Sequence, residues 1–363
     1  MKYYLLILSV LIFGACGGDD TPPVGVFDRG AMLEWYADAI IIPAYDEMVN
    51  ESQKLVSSVD ALTQAPDADK LTAARTQLKA TLIAWQSANA FNFGPGGEAG
   101  LQKGLIEEIG TFPVSTTKVS DFINAGDTTL VNFDRDSRGL YAIAYLLHGL
   151  PEAPDTALEG LQNNNRAAYL RSISRDLLAS VKTVRDTWKA SFRADFVSRI
   201  GTDVGSGTSQ LYNEFVRSFE AAKNFKVGLP LGKRPGQTGP EPQLVESRFA
   251  GHSKELLGAH LDAIDRIYKG QTSDGTSGKS LLEYVEAVEG GSALAVSTRD
   301  QWAKVIAAFD ALPADKSLRE LAASEAPELD LLHTEIQKHT RFFKSDMSSI
   351  LGIAITFASG DGD

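Results

Sequence analysis

Apolar residues recur at helical spacing along almost the whole chain, and this pattern constrains the fold more than any other feature. The first run places its members on one helix face: Met32, Leu33, Tyr36, Ala39 and Ile40. Almost no segment alternates β-branched and polar residues, as a half-buried strand would. The pattern therefore predicts an all-α protein.

Breakers divide the pattern into separate helices. Pro43 lies inside the first run, and we expect it to kink or break that helix because proline lacks the backbone N–H. A loop-rich region is expected over residues 111–127. The other main helices are predicted over residues 68–91, 137–147, 165–197, 210–227, 253–268, 280–289, 297–312 and 318–351.

The length of the chain, 363 residues, exceeds what one hydrophobic core normally serves, so two domains are expected. We predict two antiparallel helical bundles packed side by side, over residues 27–200 and 201–363. The boundary is placed at the segment 201–209, which is rich in Gly, Ser and Thr. Both halves follow the order helix, Gly/Pro-rich loop, helices, which favours an internal duplication.

The N-terminus has the pattern of a secretory signal peptide over residues 1–15. Lys2 precedes a short apolar stretch, and Gly14-Ala15 precede Cys16, the one cysteine of the chain. The apolar stretch is too short to span the ~30 Å hydrocarbon core of a bilayer as a helix. A lone secreted cysteine is compatible with a free thiol or an intermolecular disulfide, but its position favours lipidation. The sequence therefore predicts a lipoprotein that contacts the lipid membrane through Cys16.

Residues 16–26 read as a flexible tether, and they leave the orientation of the protein open. Asp19 and Asp20 resemble the surface-export signal of some Gram-negative lipoproteins, but a solvated linker explains them equally well. We therefore expect an outer-membrane lipoprotein of the cell envelope that either faces the periplasm or is exposed at the surface.

Charge and motifs exclude several classes of function. The net charge of −12 argues against nucleic acid as a partner, since phosphate binding needs basic patches. The sequence has no Gly-x-Ser-x-Gly elbow of a serine hydrolase. The loop 228–236 contains Lys233 among several glycines but lacks the order of a phosphate-binding loop, so we interpret it as a structural connection.

Six short strings, in order along nearly the whole mature chain, together resemble the imelysin family of bacterial envelope proteins. They are Ile-Ile-Pro-Ala-Tyr at 41–45, the segment from Trp85 that ends in Phe-Asn-Phe-Gly-Pro at 91–95, Ile-Gly-Thr-Phe-Pro-Val at 109–114, Gly-Leu-Tyr-Ala-Ile-Ala-Tyr-Leu-Leu-His-Gly at 139–149, Val-Glu-Ser-Arg-Phe at 245–249, and Leu-Gly-Ile-Ala-Ile-Thr-Phe at 351–357 with the terminal Asp-Gly-Asp at 361–363. The resemblance implies a two-part helical fold in the cell envelope and an association with iron uptake. The family also carries a metallopeptidase label.

The signature of that family, Gly-x-His-x-x-Glu, is altered here. A histidine and a glutamate three residues apart on a helix lie on one face and can reach one metal ion. In the aligned string Tyr141 replaces the histidine and Ala144 replaces the glutamate. Alanine offers no ligand, so we expect no catalytic residue and no metal ligand of the signature type. The cofactor is unknown, with iron or an iron complex as a candidate ligand.

Six residues in or beside the family strings are candidates for a ligand-binding cleft: Phe93, Phe112, Arg138, Tyr141, Glu246 and Ser247. Each also has a structural interpretation. The aromatic residues fit a helical core as well as a pocket. Glu246 is suited to a cationic ligand, but equally to a helix N-terminus or an ion pair with Arg248 or Lys233. Arg138 either neutralises a buried carboxylate such as Glu246 or begins a surface helix.

These observations predict an envelope binding lipoprotein implicated in iron acquisition and without catalytic activity. Its partner would be an unidentified envelope ligand or protein. A divalent-metal-dependent peptidase and a structural scaffold lipoprotein of the outer membrane are the alternatives.

Overall fold

The computed structural model describes residues 27–357, apart from Asn132 and Pro154. The predicted signal peptide, Cys16, the tether and the terminal residues 361–363 lie outside the described residues. The described α-helices are α1 Arg29–Trp35, α2 Ile42–Gln64, α3 Ala68–Ala88, α4 Leu105–Ile109, α5 Thr116–Ala125, α6 Gly139–His148, α7 Ala157–Gly160, α8 Asn164–Thr187, α9 Arg193–Ser198, α10 Gly207–Ala221, α11 Ser253–Lys269, α12 Leu281–Glu286, α13 Gly291–Asp310, α14 Leu318–Ala323, α15 Pro327–Arg341 and α16 Ser348–Leu351.

Four π-helical segments and three 3₁₀ turns connect several of these helices. The π segments are Tyr36–Ile41, Trp188–Phe192, Ala222–Gly228 and Phe342–Met347, and the 3₁₀ turns are Asn89–Phe91, Gly94–Gly96 and Pro242–Leu244. The first π segment lies directly before Pro43, which occupies the first turn of α2. The amide of Ile42 donates to the carbonyl of Ala37, five residues back. The chain thus stays helical at the position where a kink or break was expected. One turn before the proline is widened, and Pro43 lies in the first turn of α2, where its missing N–H is tolerated.

The first half of the described chain is a bundle built on α2, α3 and α8. Helix α3 follows α2 after a short connection whose Asp67 caps the first turn of α3 by accepting from the amide of Lys70. Helix α6 packs against both α3 and α8, and eight of its ten residues are buried. The short, almost wholly apolar α6 is therefore the central element of this half.

The second half is built on α10, α11, α13 and α15, and it is joined closely to the first half. Helix α3 packs against α11, and the 3₁₀ turn after α3 packs against α10. The indole Nε1–H of Trp35 donates to the carbonyl of Gly270 over 2.8 Å, and the hydroxyl of Tyr36 donates to the carbonyl of Ile267. One continuous hydrophobic core includes residues of both halves. The boundary near residue 201 and the duplication stay predictions.

The all-helical prediction is confirmed, since the described residues contain no β-strand beyond one isolated bridge between Gln271 and Ser277. None of the described helices is long and apolar enough to cross a membrane. Two predicted elements were wrong. The region 111–127 contains α5, and the single helix predicted over 318–351 is broken before Pro327, where Glu325 adopts a left-handed conformation with φ of 49°.

Candidate functional site

The altered signature lies on α6, in the middle of the first half. Gly139 opens the helix with a φ of +76°, and a Cβ atom there would lie 2.4 Å from the carbonyl oxygen of Ile109. Only glycine fits this approach, so the signature glycine is retained for packing. Tyr141 and Ala144 are three residues apart on one face of α6, and both are buried, with 2% and 0% of their surfaces exposed.

Glu246 reaches this face from the second half. It follows the 3₁₀ turn Pro242–Leu244, and Ser247 after it has a left-handed φ of 56°. The hydroxyl of Ser253, the first residue of α11, donates to the carbonyl of Glu246. The amide of Gly251 donates to the carbonyl of Ser247 over 2.8 Å. This tight turn before α11 directs the carboxylate of Glu246 into the protein, where only 2% of the residue is exposed.

Lys226 reaches the same point from the π segment Ala222–Gly228, which continues α10. Its side chain is 5% exposed, and its ammonium nitrogen lies 2.9 Å from Oε2 of Glu246. A buried carboxylate needs a counter-charge or strong donors, because an isolated ion is costly to remove from water. Lys226 supplies that counter-charge.

Tyr141, Glu246, Lys226 and Gln86 form one hydrogen-bonded cluster, here called the buried network. The hydroxyl of Tyr141 donates to Oε1 of Glu246, and Nε2 of Gln86 donates to the same oxygen over 3.3 Å. Lys226 also donates to Oε1 of Gln86. Because Gln86 lies on α3 and Tyr141 on α6, the network ties two helices of the first half to two segments of the second.

A second chain of contacts extends the network into the second half. Nδ2 of Asn89 donates to Oε1 of Gln86 over 3.3 Å, and the hydroxyl of Ser218 donates to Oδ1 of Asn89 over 3.3 Å. The same hydroxyl lies 2.7 Å from Nε2 of His260. The polar path therefore runs from α3 through the 3₁₀ turn after it to α10 and α11.

The surroundings of the network fix its protonation. Burial and the neighbouring Glu246 raise the pKa of Tyr141, so the phenol keeps its proton. Burial lowers the pKa of Lys226, an effect that Glu246 opposes. Burial, and then the charge of Lys226, lowers the pKa of His260, so its imidazole is neutral at neutral pH. Oε2 of Glu246 and the side-chain nitrogen of Lys226 face each other over 2.9 Å.

The structure brings together three of the six predicted cleft residues and places Ser247 beside them. Phe112 packs edge-on against Tyr141, with ring centroids 5.3 Å apart, and it is half-buried. Ser247 follows Glu246 and is 1% exposed, and its hydroxyl has no hydrogen-bond partner among the described residues. Tyr141 and Glu246 are in direct contact. Tyr141, Glu246 and Ser247 are therefore buried, and their role as a ligand-binding cleft stays a prediction.

Arg138 and Phe93 have other surroundings. The guanidinium of Arg138 lies 3.5 Å from Asp176, donates to the carbonyl of Leu130 over 3.0 Å and lies over the ring of Phe133. Phe93 packs in an aromatic cluster with Trp188, at a centroid distance of 5.6 Å. The counter-ion of Glu246 is therefore Lys226.

The two cations considered as ion-pair partners of Glu246 pair with other carboxylates. Arg248 pairs with Glu152 over 3.0 Å, and Lys233 pairs with Asp330 over 2.7 Å. Lys226 was missed because it lies outside the family strings, and Gln86 was missed although it lies within the string that begins at Trp85. Lys226 continues the apolar row of Phe215, Phe219 and Ala222, and a lysine in such a row is the signal that indicates a buried partner.

The buried network does not fit a metal ion of the kind that a His/Glu signature would hold. Ala144 has no donor atom, the phenol of Tyr141 is itself a hydrogen-bond donor to Glu246, and the ammonium of Lys226 occupies the cationic position beside the carboxylate. Within the described part of the chain, no three His, Cys, Asp or Glu residues are grouped closely enough to hold a metal ion.

A cavity between the two halves lies in another place. It measures about 130 Å³, and its walls come from α2 and α3 on one side and from α11 and the loop after it on the other. Pro43 and Ala44 of the first family string line it. Its polar walls include Glu47 and Arg266, and Arg266 lies 3.5 Å from the hydroxyl of Ser87. A small ligand with both charged and apolar parts matches this lining.

The fold and the site define an all-α protein of two closely joined helical halves with a buried polar network between them. A sequence model of the Imelysin family, which carries a peptidase label, matches residues 41–338, and the chain belongs to this family. Iron-regulated protein A of Synechococcus elongatus is 21% identical over 285 residues, which cover 76% of this chain and 72% of that protein.

Two crystal structures share the fold. A putative iron-regulated protein A precursor from Parabacteroides distasonis has a TM-score of 0.73 and 16% identity, covering 89% of this chain and 95% of that one. An imelysin-like protein from Psychrobacter arcticum has a TM-score of 0.71 and 21% identity, covering 91% of this chain and 97% of that one. The family resemblance and the helical fold expected from the sequence are thereby confirmed.

Proposed function

We propose that this protein is a non-catalytic binding lipoprotein of the bacterial cell envelope that serves iron acquisition. In this proposal Cys16 carries the lipid anchor, and the altered signature site is a structural connection between the two halves. The observation that carries the proposal is the ammonium of Lys226, 2.9 Å from the carboxylate of Glu246, directly beside Tyr141.

This ion pair argues against the peptidase alternative. A metallopeptidase holds its metal with three protein ligands and keeps one coordination position open for the water that it activates. Here a tethered cation neutralises the carboxylate, and Tyr141, Lys226 and Glu246 are all at most 5% exposed. A peptide bond has no access to these groups while the helices stay packed.

The link with iron is supported by the relatives. Iron-regulated protein A is the name of the similar protein from Synechococcus elongatus, and one of the two similar crystal structures is a putative precursor of a protein with that name. The interfacial cavity with Arg266 and Glu47 is our candidate for the place where a small group of an iron complex binds.

The experiment measures regulation and binding separately. Protein levels are compared by immunoblot in iron-replete and chelator-treated cells, and the purified protein is titrated with ferric citrate, haem and a ferric siderophore. We expect higher levels under iron limitation and binding of at least one complex that Arg266→Ala weakens. Unchanged levels together with no binding of any of the three would refute the iron part of the proposal.

The absence of catalysis has its own test. The wild-type protein is incubated with a peptide library and Zn²⁺, Fe²⁺ or Mn²⁺, with and without a chelator. We expect no chelator-sensitive cleavage. The triple variant Tyr141→His, Ala144→Glu, Lys226→Met restores the signature and removes the competing ammonium, so it serves as the comparison for metal binding. Metal-dependent cleavage by the wild-type protein would show that the peptidase alternative is correct.

A further inference from the structure

Two opposite charges line the interfacial cavity without pairing with each other. Glu47 reaches the cavity from α2 in the first half, and Arg266 reaches it from α11 in the second. No ion pair joins these two described residues, so their charged groups stand farther apart than in a salt bridge. Much of the remaining wall is apolar, including Ile40, Pro43 and Phe91. The cavity therefore offers an anion and a cation at separate points of an apolar wall.

The guanidinium of Arg266 has donors that no protein group uses. Within the described residues its side-chain hydrogen bond is the one from Nη2 to the hydroxyl of Ser87 on α3, over 3.5 Å. A guanidinium carries several N–H donors in a planar fork, which matches the two oxygens of a carboxylate. A carboxylate in the cavity would therefore find a bidentate partner on α11 and a hydroxyl donor beside it on α3.

The carboxylate of Glu47 is available as well. Glu47 is exposed, and its side chain has neither an ion pair nor a hydrogen bond with any other described residue. The one lysine of α2, Lys54, is bound to Glu51 over 2.6 Å. A carboxylate accepts strong hydrogen bonds from an ammonium group, because both partners are charged. Glu47 is therefore suited to hold an ammonium group at the edge of the cavity.

We propose that the interfacial cavity binds a small zwitterionic amino acid, with its carboxylate on Arg266 and its ammonium on Glu47. The short carbon chain between the two groups would lie against the apolar wall. The volume of about 130 Å³ limits this chain to a few carbon atoms, since a cavity of about 150 Å³ holds one benzene molecule. A carboxylate or an amine alone would leave one of the two charges without a partner. The inference rests on the proposed function in that both use this cavity, and it names the chemistry that the cavity recognises.

Calorimetric titration at low ionic strength tests the proposal. The ligands are glycine, 3-aminopropionate and 4-aminobutyrate, and acetate and methylammonium serve as arms with a single charge. We expect at least one amino acid to bind the wild-type protein at least about tenfold more tightly than methylammonium, because it gains the hydrogen bonds to a charged guanidinium. It should bind at least about threefold more tightly than acetate, since an exposed carboxylate contributes less. No binding of any amino acid, or equal affinity for all five ligands, would overturn the proposal.

Two variants separate the two ends of the ligand. Arg266→Gln should weaken the amino acid by about tenfold and should also weaken acetate. Glu47→Gln should weaken the amino acid by about threefold and should also weaken methylammonium, but it should leave acetate unchanged. Neither side chain has an ion pair among the described residues, so both variants should keep the circular dichroism spectrum of the wild-type protein. An equal loss of acetate binding in both variants would overturn the assignment of the two ends.

The matched controls are Arg299→Gln and Glu289→Gln, which remove the same charges from exposed side chains outside the cavity. Both should bind the amino acid like the wild-type protein. Losses in the controls equal to those at Arg266 and Glu47 would show attraction by the overall charge and would overturn the proposal. The titrations contain no iron, so their failure leaves the regulation by iron untouched, and unchanged protein levels under iron limitation would leave the amino-acid site standing.

Discussion

The strongest test of the buried network is to remove its cation. In the variant Lys226→Met the carboxylate of Glu246 stays buried, with 2% of the residue exposed, and loses the ammonium that lies 2.9 Å away. The hydroxyl of Tyr141 and the amide of Gln86 still donate to it, but neither carries a charge. Breaking a buried ion pair on one side costs about 3–5 kcal/mol, and we expect the free energy of unfolding to fall by that amount.

Removing the anion has a smaller expected effect. In Glu246→Gln the phenol of Tyr141 still finds an acceptor oxygen. Lys226 can release its proton more readily than an ordinary lysine, since burial already lowers its pKa. We expect a loss of about 1–3 kcal/mol, the cost of an impaired buried hydrogen-bond partner. The double variant Lys226→Met, Glu246→Gln has no buried charge, so it should be more stable than Lys226→Met alone.

Urea unfolding at pH 7, followed by circular dichroism, gives the four free energies of this double-mutant cycle. The coupling between the two positions should reach at least about 1 kcal/mol, as for residues in one ion-pair network. The exposed pair of Lys189 and Asp46, 2.7 Å apart, is the control, and Lys189→Met should cost less than about 1 kcal/mol. Additive losses at positions 226 and 246, within about 0.5 kcal/mol, would refute the reasoning.

Three further predictions concern other parts of the chain. Burial lowers the pKa of His339 to about 3, so between that value and its ordinary value of 6.5 the unfolded chain binds the proton and the folded chain does not. Stability should therefore decrease as the pH is lowered through this window, and His339→Leu should remove about 1.4 kcal/mol of that loss per pH unit in acid unfolding curves; parallel curves for both proteins would contradict this. Gly139→Ala should cost about 1–3 kcal/mol more than Gly352→Ala in urea unfolding, because both have positive φ but only Gly139 approaches a neighbouring backbone; equal losses would show that the contact with Ile109 is unimportant. Cys16→Ser should move the protein from the membrane fraction to the soluble fraction and abolish labelling by palmitate, and unchanged fractionation would argue against lipidation.

Much of the fold follows from hydrophobic spacing and from breakers. Helix α3 with its 3₁₀ turn ends at Phe91, as predicted, because Asn-Phe-Gly-Pro directly follows it. Helix α5 was missed because only Val119, Phe122 and Ile123 are large and apolar, although Ser115 and Gly126 provide caps at its two ends. The hydrophobic spacing is a weak signal in so short a helix. The capping residues at its two ends were the better indication that a helix lies here.

The π segments limit what spacing can predict. Each contains a wider turn than an α-helix, so the face that a residue occupies changes where the turn occurs. The predicted helix over residues 165–197 is continuous, but Trp188–Phe192 within it is a π segment. No single residue type marks these turns in the sequence, apart from Pro43 after the first one. Side-chain positions beyond such a turn therefore need the structure.

The site could be predicted in part. Tyr141, Phe112 and Glu246 came from strings that resemble one family, and they lie together. The partner of Glu246 could not be predicted, because a lysine contacts a carboxylate across the fold only when two distant segments pack. Arg138 shows the same limit, since its neighbour Asp176 lies on α8 and is placed by the packing of α6 on that helix.

The ion pair of Lys226 and Glu246 leads to a further prediction about metals. A carboxylate such as Glu246 needs a positive counter-charge, and a metal ion could supply it only while bound. Lys226 supplies it permanently, because the ammonium is part of the chain. A protein that folds around a bound metal loses stability when a chelator removes it. We therefore expect an excess of chelator to leave the thermal unfolding temperature of the wild-type protein unchanged. The same result is expected for wild-type protein that has first been dialysed against Fe²⁺ or Zn²⁺. A drop in the unfolding temperature on chelation that Lys226→Met abolishes would mean that the ammonium assists a metal rather than replacing one.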